Sequence, residues 1–239
     1  MIKKSILVLL AVVMFGSLTI SKAADLSIGK KFTVGLILES QPVALDAYKN
    51  DKINVVTNAV ANGGGGSYSV SYPVSLMNTG IKLTYLLKDN LNIYLQNSMV
   101  SISGTDNATA VSGTMSNEWK FDITDISIGA GIIKDGFLYA NSQSIFSAGI
   151  GSYSVKLSQA ITIGTNSDSK SYSGSTIAIE LNWLDHFYLT KSKNITFDAD
   201  LGYKSASISK LGDYTDTNNN SIAFDFSGIK MGIGLSYMF

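Results

Sequence analysis

The sequence predicts an all-β protein: a transmembrane antiparallel up-and-down β-barrel of about eight strands, with ten strands as the alternative. Three observations support this prediction. Apolar and polar residues alternate along most of the chain, short and long connections alternate between the strands, and no apolar run after the N-terminal segment is long enough for a membrane-spanning helix.

The composition excludes several classes of function. The 239 residues are 45% hydrophobic and 15% charged, with 18 Lys and Arg against 18 Asp and Glu, so no basic surface for nucleic acid is expected. The chain has no cysteine and a single histidine, which removes disulfides, thiolate metal sites and a cysteine nucleophile. We therefore expect no nucleic-acid partner, no metal and no cofactor.

The N-terminus has the pattern of a secretory signal peptide. Lys3 and Lys4 precede a short apolar run from Ile6 to Phe15, and small residues occupy Ser21 and Ala23. This run is shorter than the roughly 20 residues that span a bilayer. The sequence predicts a cleaved signal over residues 1–23, a barrel domain over 24–239, and export of the mature chain.

The period of the apolar residues is that of β-strands. In "FTVGLIL" the apolar residues Phe32, Val34 and Leu36 share one face, and equivalent runs recur to the end of the chain. The apolar phase changes twice, which predicts β-bulges near Thr124 and Gly228. The eight predicted strands lie near residues 28–40, 79–87, 91–102, 119–134, 144–157, 172–189, 195–209 and 221–239.

The connections predict which end of the barrel is outside the cell. Short polar turns at residues 88–90 and 191–194 alternate with long Gly-, Ser-, Thr- and Asn-rich stretches at about 41–67, 103–117, 158–171 and 210–220. In membrane barrels short turns face the periplasm and long loops the exterior. The sequence thus predicts four mobile extracellular loops and two periplasmic termini.

Two architectures bury one face of alternating strands: a soluble sandwich and a transmembrane barrel. Charges of both signs lie opposite the apolar stripes, where a small barrel would enclose them in its interior. The predicted charge network of the lumen comprises Lys31, Glu39, Lys82, Glu180, Asp198, Asp200, Lys204 and Asp225. Aromatic residues near the strand ends favour the barrel, because interfacial girdles are aromatic.

The last strand, "GIGLSYMF", carries a resemblance. Its alternating residues closing on Tyr237 and Phe239 resemble the C-terminal signal that the barrel assembly machinery recognises in bacterial outer-membrane barrels. With "GIKLTYLLKDNLNIYLQNS" and "FSAGIGSYSVKLS", the chain resembles the small OmpA/OmpW/OmpX-like barrel superfamily. The resemblance implies the cell outer membrane as location, with lipid and the assembly machinery as partners of a monomer.

No motif predicts catalysis. The "GAG" and "GIG" repeats complete no nucleotide fingerprint, and "DYTDTNNN" lacks features of a helix-loop-helix calcium site. His186 is expected near the periplasmic end, away from the outer leaflet at which related barrel enzymes act. We expect a non-enzymatic, mainly structural and surface-exposed protein whose loops contact host, phage or matrix. The alternative is a narrow porin-like channel for small or hydrophobic solutes.

Overall fold

The computed structural model describes residues 32–43, 45–70, 72–73, 75–88 and 90–239. The predicted signal peptide and the predicted lumen charge Lys31 lie outside these residues. In chain order the elements are β1 (Phe32–Pro42), α1 (Asp46–Asn62), β2 (Gly66–Ser69), β3 (Ser75–Lys88), β4 (Leu91–Ala110), β5 (Gly113–Asp135), β6 (Ser142–Ile163), β7 (Asn166–Tyr188), β8 (Ile195–Ser205), β9 (Ser207–Ile208), β10 (Phe224–Asp225) and β11 (Gly228–Met238).

Eight strands close into a ring, which confirms the predicted fold class. The order around the ring is β1, β3, β4, β5, β6, β7, β8 and β11, and β11 pairs back with β1. Every neighbouring pair is antiparallel. Beyond the last pair, the Phe239 N–H donates to the Phe32 carbonyl at 2.8 Å. The ring therefore leaves no open sheet edge in its lower part.

Four strands continue upward as a raised sheet. β4, β5, β6 and β7 have 20 to 23 residues each, about twice the 11 residues of β1, β8 and β11. The predicted loops at 103–117 and 158–171 are therefore wrong: both are paired hairpins whose tips are residues 111–112 and 164–165. Their Ser- and Thr-rich composition resembles that of a loop, but inward side chains such as Met115 give these segments a face to bury.

The remaining two predicted loops differ from each other. The 41–67 segment contains α1, whose Val56 packs inside the raised sheet against Ala108 and Met115. The 210–220 segment is irregular, as predicted. Among the described residues, no helix is both long and apolar enough to cross a membrane.

The polarity of both sheet faces reverses at one level of the barrel. On the outside of β5, exposed Ile126 and Ile128 give way above to Lys120 and Asp122. On the inside, buried Asp125 gives way above to apolar side chains. The pairing of β5 is continuous from residue 113 to 135, so the bulge predicted near Thr124 is wrong. The apolar residues shift from odd to even numbers because they face inward in the upper barrel and outward in the lower barrel. The alternation of side chains along the backbone continues unchanged.

The upper interior is an aromatic core. Trp119 and Phe121 on β5 meet Tyr48 of α1, and Phe224 and Phe226 of the returning chain complete the cluster. All five side chains are at most 2% exposed. The bulge predicted near Gly228 is also wrong: strand structure lapses at residues 226–227, but the register in which β10 pairs with β9 continues without an extra residue into the pairing of β11 with β8. The upper interior is thus packed like that of a soluble domain.

Candidate functional site: the barrel interior

The centre of the lower barrel is a buried ion cluster around Lys230 of β11. Its Nζ lies 3.0 Å from Glu39 Oε1, 3.3 Å from Glu180 Oε2 and 3.8 Å from Asp200 Oδ2. Strands β1, β7 and β8 supply these carboxylates. The Gln96 amide donates to the second Glu39 oxygen at 3.0 Å. The Lys230 ammonium therefore connects β11 by ion pairs to three other strands of the ring.

A second lysine continues the cluster upward. Lys204 of β8 pairs with Asp125 of β5, and its Nζ is 3.9 Å from Glu180 Oε2. Glu180 also accepts hydrogen bonds from the Tyr94 and Ser127 hydroxyls, each at 2.7 Å. Charges in a water-poor interior are stable only when paired in this way.

Two glycines make room for the Tyr94 ring. A Cβ built on Gly129 would lie 2.4 Å from the ring, and one on Gly149 would lie 2.1 Å from its hydroxyl. The Lys82 ammonium lies 4.6 Å from the ring centroid, within cation–π distance. The "GAG" and "GIG" segments thus create space for an aromatic side chain that occupies the lumen.

The structure brings together some of the predicted lumen charges. Glu39, Glu180, Asp200 and Lys204 belong to the cluster, and Lys82 borders it through Tyr94. Asp225 does not join them: it lies on the short strand β10, and its Oδ1 accepts the Ser227 N–H at 2.9 Å. Asp225 alternates with the buried Phe224 and Phe226 in an unbroken register, so it lies on the face opposite to that of the inward Lys230.

Asp198 lies lower in the barrel, in a separate group with His186. Its Oδ1 is 2.6 Å from His186 Nδ1 and accepts from the Thr196 hydroxyl at 2.7 Å, and its Oδ2 accepts from Ser236. In a hydrolytic triad the histidine lies between the nucleophile and the carboxylate. Here the carboxylate lies between histidine and serine, and His186 is 2% exposed.

The predicted assembly residues lie at the lower rim of the last strand. Tyr237 and Phe239 are both exposed on the outer face, with ring centroids 4.7 Å apart. The ring centroid of Phe239 also lies 6.1 Å from that of Phe32 on β1. This places the two side chains at the seam where the last strand meets the first.

A polar centre anchors the aromatic core above. The fully buried Asp106 carboxylate accepts from Tyr72 at 2.6 Å, from Asn117 at 2.9 Å and from Trp119 Nε1 at 3.3 Å. On the other side, the Tyr214 hydroxyl donates to Asp51 of α1 at 3.0 Å. Burial raises the pKa of the Tyr214 hydroxyl above its ordinary value.

The sequence prediction missed several buried charges of this interior, including Lys230, Asp125 and Asp106. Lys230 lies opposite the outward stripe of β11, so the alternation alone could have identified it. Asp125 was missed because it adjoins the assumed bulge at Thr124, where the face of each residue was left undetermined. Asp106 lies in a segment that was predicted to be a loop.

A closed antiparallel ring of eight strands, apolar outside its lower half and charged within it, defines the class of small membrane β-barrels. No protein family model matches the chain, and a comparison with curated proteins finds no relative. Solved structures of similar architecture include Ail of Yersinia pestis in complex with the heparin analogue sucrose octasulfate, at 11% identity and TM-score 0.45, covering 88% of this chain and 99% of that one. Neisserial surface protein A matches at 12% identity and TM-score 0.41 (87% and 97%), and the Escherichia coli outer membrane protease OmpT at 9% and 0.36 (90% and 99%). This chain is similar to small outer-membrane barrels in architecture. That it forms a closed barrel is established by the pairing of its own strands.

Proposed function

We propose that the protein is a non-conducting barrel of the cell outer membrane that holds a rigid β-structure above the membrane surface. The mature chain reaches this membrane by export, with the assembly machinery acting on the segment that ends in Tyr237 and Phe239. The function is structural and surface-exposed, and it includes no catalysis.

The observation that carries this proposal is that the interior is filled at two levels. The ion cluster around Lys230 occupies the lower barrel, and the aromatic core around Tyr48 occupies the upper barrel. An eight-stranded barrel has an interior just wide enough for its own side chains. Both fillings would have to move before a solute could pass, which disfavours the channel alternative.

The raised sheet and α1 offer the surfaces for contact with host, phage or matrix. An open groove of about 510 Å³ lies across β4 to β7 and is bordered by Glu118, Lys120 and Lys170. A cleft of about 290 Å³ lies between α1 and residues 216–223. Both surfaces include polar side chains, and the groove lies on paired strands, so a partner would meet a largely pre-formed surface there.

Conductance across a planar lipid bilayer tests the proposal. The protein is refolded in detergent, and its closed barrel is verified by the difference in gel mobility between unboiled and boiled samples. We expect no single-channel steps at any voltage, while a porin reconstituted in parallel conducts. Reproducible steps from the folded, unmodified protein would refute the closed interior and restore the channel alternative.

A further inference from the structure

The upper half of β7 has one unpaired edge. β7 pairs with β6 along its whole length, but its pairing with β8 begins only at Ile179, opposite Ser205. From Asn166 to Ser171 every residue is exposed. Within the described residues, no strand covers this edge between Asn166 and Tyr172. Such an edge is a template for another strand.

Hydrogen bonds at the lower end of β7 show toward which neighbouring strand each of its backbone groups points. The Tyr188 N–H donates toward the β6 side, to Asn141, and the Leu189 N–H donates toward β8, to Ile195. Because successive residues of a strand alternate, odd-numbered residues of β7 direct their N–H and C=O groups toward the β8 side. On the upper half these are serines at alternate positions, Ser167, Ser169 and Ser171. Their backbone groups face the open edge.

We propose that this edge pairs with the same edge of a second copy, antiparallel and centred on Ser169. This register places Ser169 opposite its own counterpart and Ser167 opposite Ser171, with their backbone groups facing each other. It also places Asp168 of each copy opposite Lys170 of the other. Opposite charges on facing residues stabilise a strand pair, and an isologous contact forms them twice.

The charges select this register over its neighbours. A centre at residue 168 would oppose two aspartates, and a centre at residue 170 would oppose two lysines. Both neighbouring registers keep the backbone groups in facing positions, so backbone pairing alone does not distinguish the three. Like charges directly opposite each other are destabilising. In the single chain the two side chains form only an exposed ion pair, 3.7 Å apart, which is free to rearrange.

The antiparallel arrangement determines where the second copy lies. Two barrels in one membrane have β7 running in the same direction, from top to bottom. An antiparallel pair therefore joins barrels in two facing membranes, an inference that rests on the proposed outer-membrane location. Ser169 lies eight residues above Ile177, the uppermost exposed isoleucine of β7, or roughly 26 Å along the strand. The proposed contact is thus homotypic adhesion between cells, while each barrel stays monomeric within its own membrane.

A charge-exchange experiment tests the register. In D168K both positions are lysine, and in K170D both are aspartate, so either variant alone opposes like charges twice. We expect each single variant to raise the dimer dissociation constant at least about tenfold, measured by sedimentation in detergent. An equimolar mixture of the two variants restores opposite pairs and should bind as the unmodified protein does, as should the double variant D168K/K170D.

The control K156D makes the same charge change at an exposed position on β6 and should leave association unchanged. Cells that express D168K should aggregate with cells that express K170D, but neither should aggregate alone. Gel mobility and membrane fractionation of each variant show separately whether the barrel is folded and inserted, which distinguishes failure of the contact from failure of the proposed function. A folded, unmodified protein that does not self-associate, or a mixture no tighter than its components, would overturn the proposal.

Discussion

Replacement of Lys230 by methionine removes the cation at the centre of the lower barrel. The three carboxylates within 4 Å of its Nζ, on Glu39, Glu180 and Asp200, would then face one another in a water-poor interior. Methionine keeps much of the side-chain volume, so the change is mainly one of charge. Removal of one partner from a buried ion pair costs about 3–5 kcal/mol. We expect K230M to lower the free energy of unfolding by about this amount.

Urea titration of the refolded protein in lipid vesicles, followed by tryptophan emission and gel mobility, measures this cost. The control K156M changes an exposed lysine and should shift the free energy of unfolding by no more than about 0.5 kcal/mol. The double variant K230M/E39Q removes one of the uncompensated charges and should recover part of the loss. A K230M protein within about 1 kcal/mol of the unmodified one would refute the claim that this cluster is dry and mutually dependent.

Three further substitutions test other parts of the structure. Y48A empties the centre of the aromatic core and should cost about 3–5 kcal/mol, seen as faster proteolysis of α1 in the folded protein; unchanged proteolysis would count against the packed upper interior. G149A should destabilise the barrel strongly, and much less in a Y94A background, in a denaturant double-mutant cycle; equal costs in both backgrounds would exclude the proposed contact. I128R should reduce membrane-inserted stability by about 2–4 kcal/mol while the control E118R, on the same outer face above the reversal, should not; similar losses would show that the lipid boundary is misplaced.

The alternation of apolar residues predicted the fold because a barrel has one continuous inside and outside. It predicted Glu39 and Glu180 as inward charges, since each lies opposite a clear outward stripe. It failed in the upper barrel, where the environment of each face changes but the backbone does not. At Asp125 that failure produced a false bulge, and in the Ser-rich upper half of β7 it produced a false loop. The partners of each interior charge depend on pairing across the ring, which no local pattern records.

The central claim is that β5 keeps one alternation throughout while lipid contacts only the lower part of its outer face. The natural absence of cysteine allows spin labels to be placed singly from residue 116 to 130 and their collision with oxygen and a water-soluble nickel complex to be measured. Labels at 126, 128 and 130 should favour oxygen, those at 116, 118, 120 and 122 should favour nickel, and the odd-numbered positions from 117 to 127 should be protected from both. Oxygen access at Trp119 and Phe121, with a phase shift near Thr124, would contradict the account.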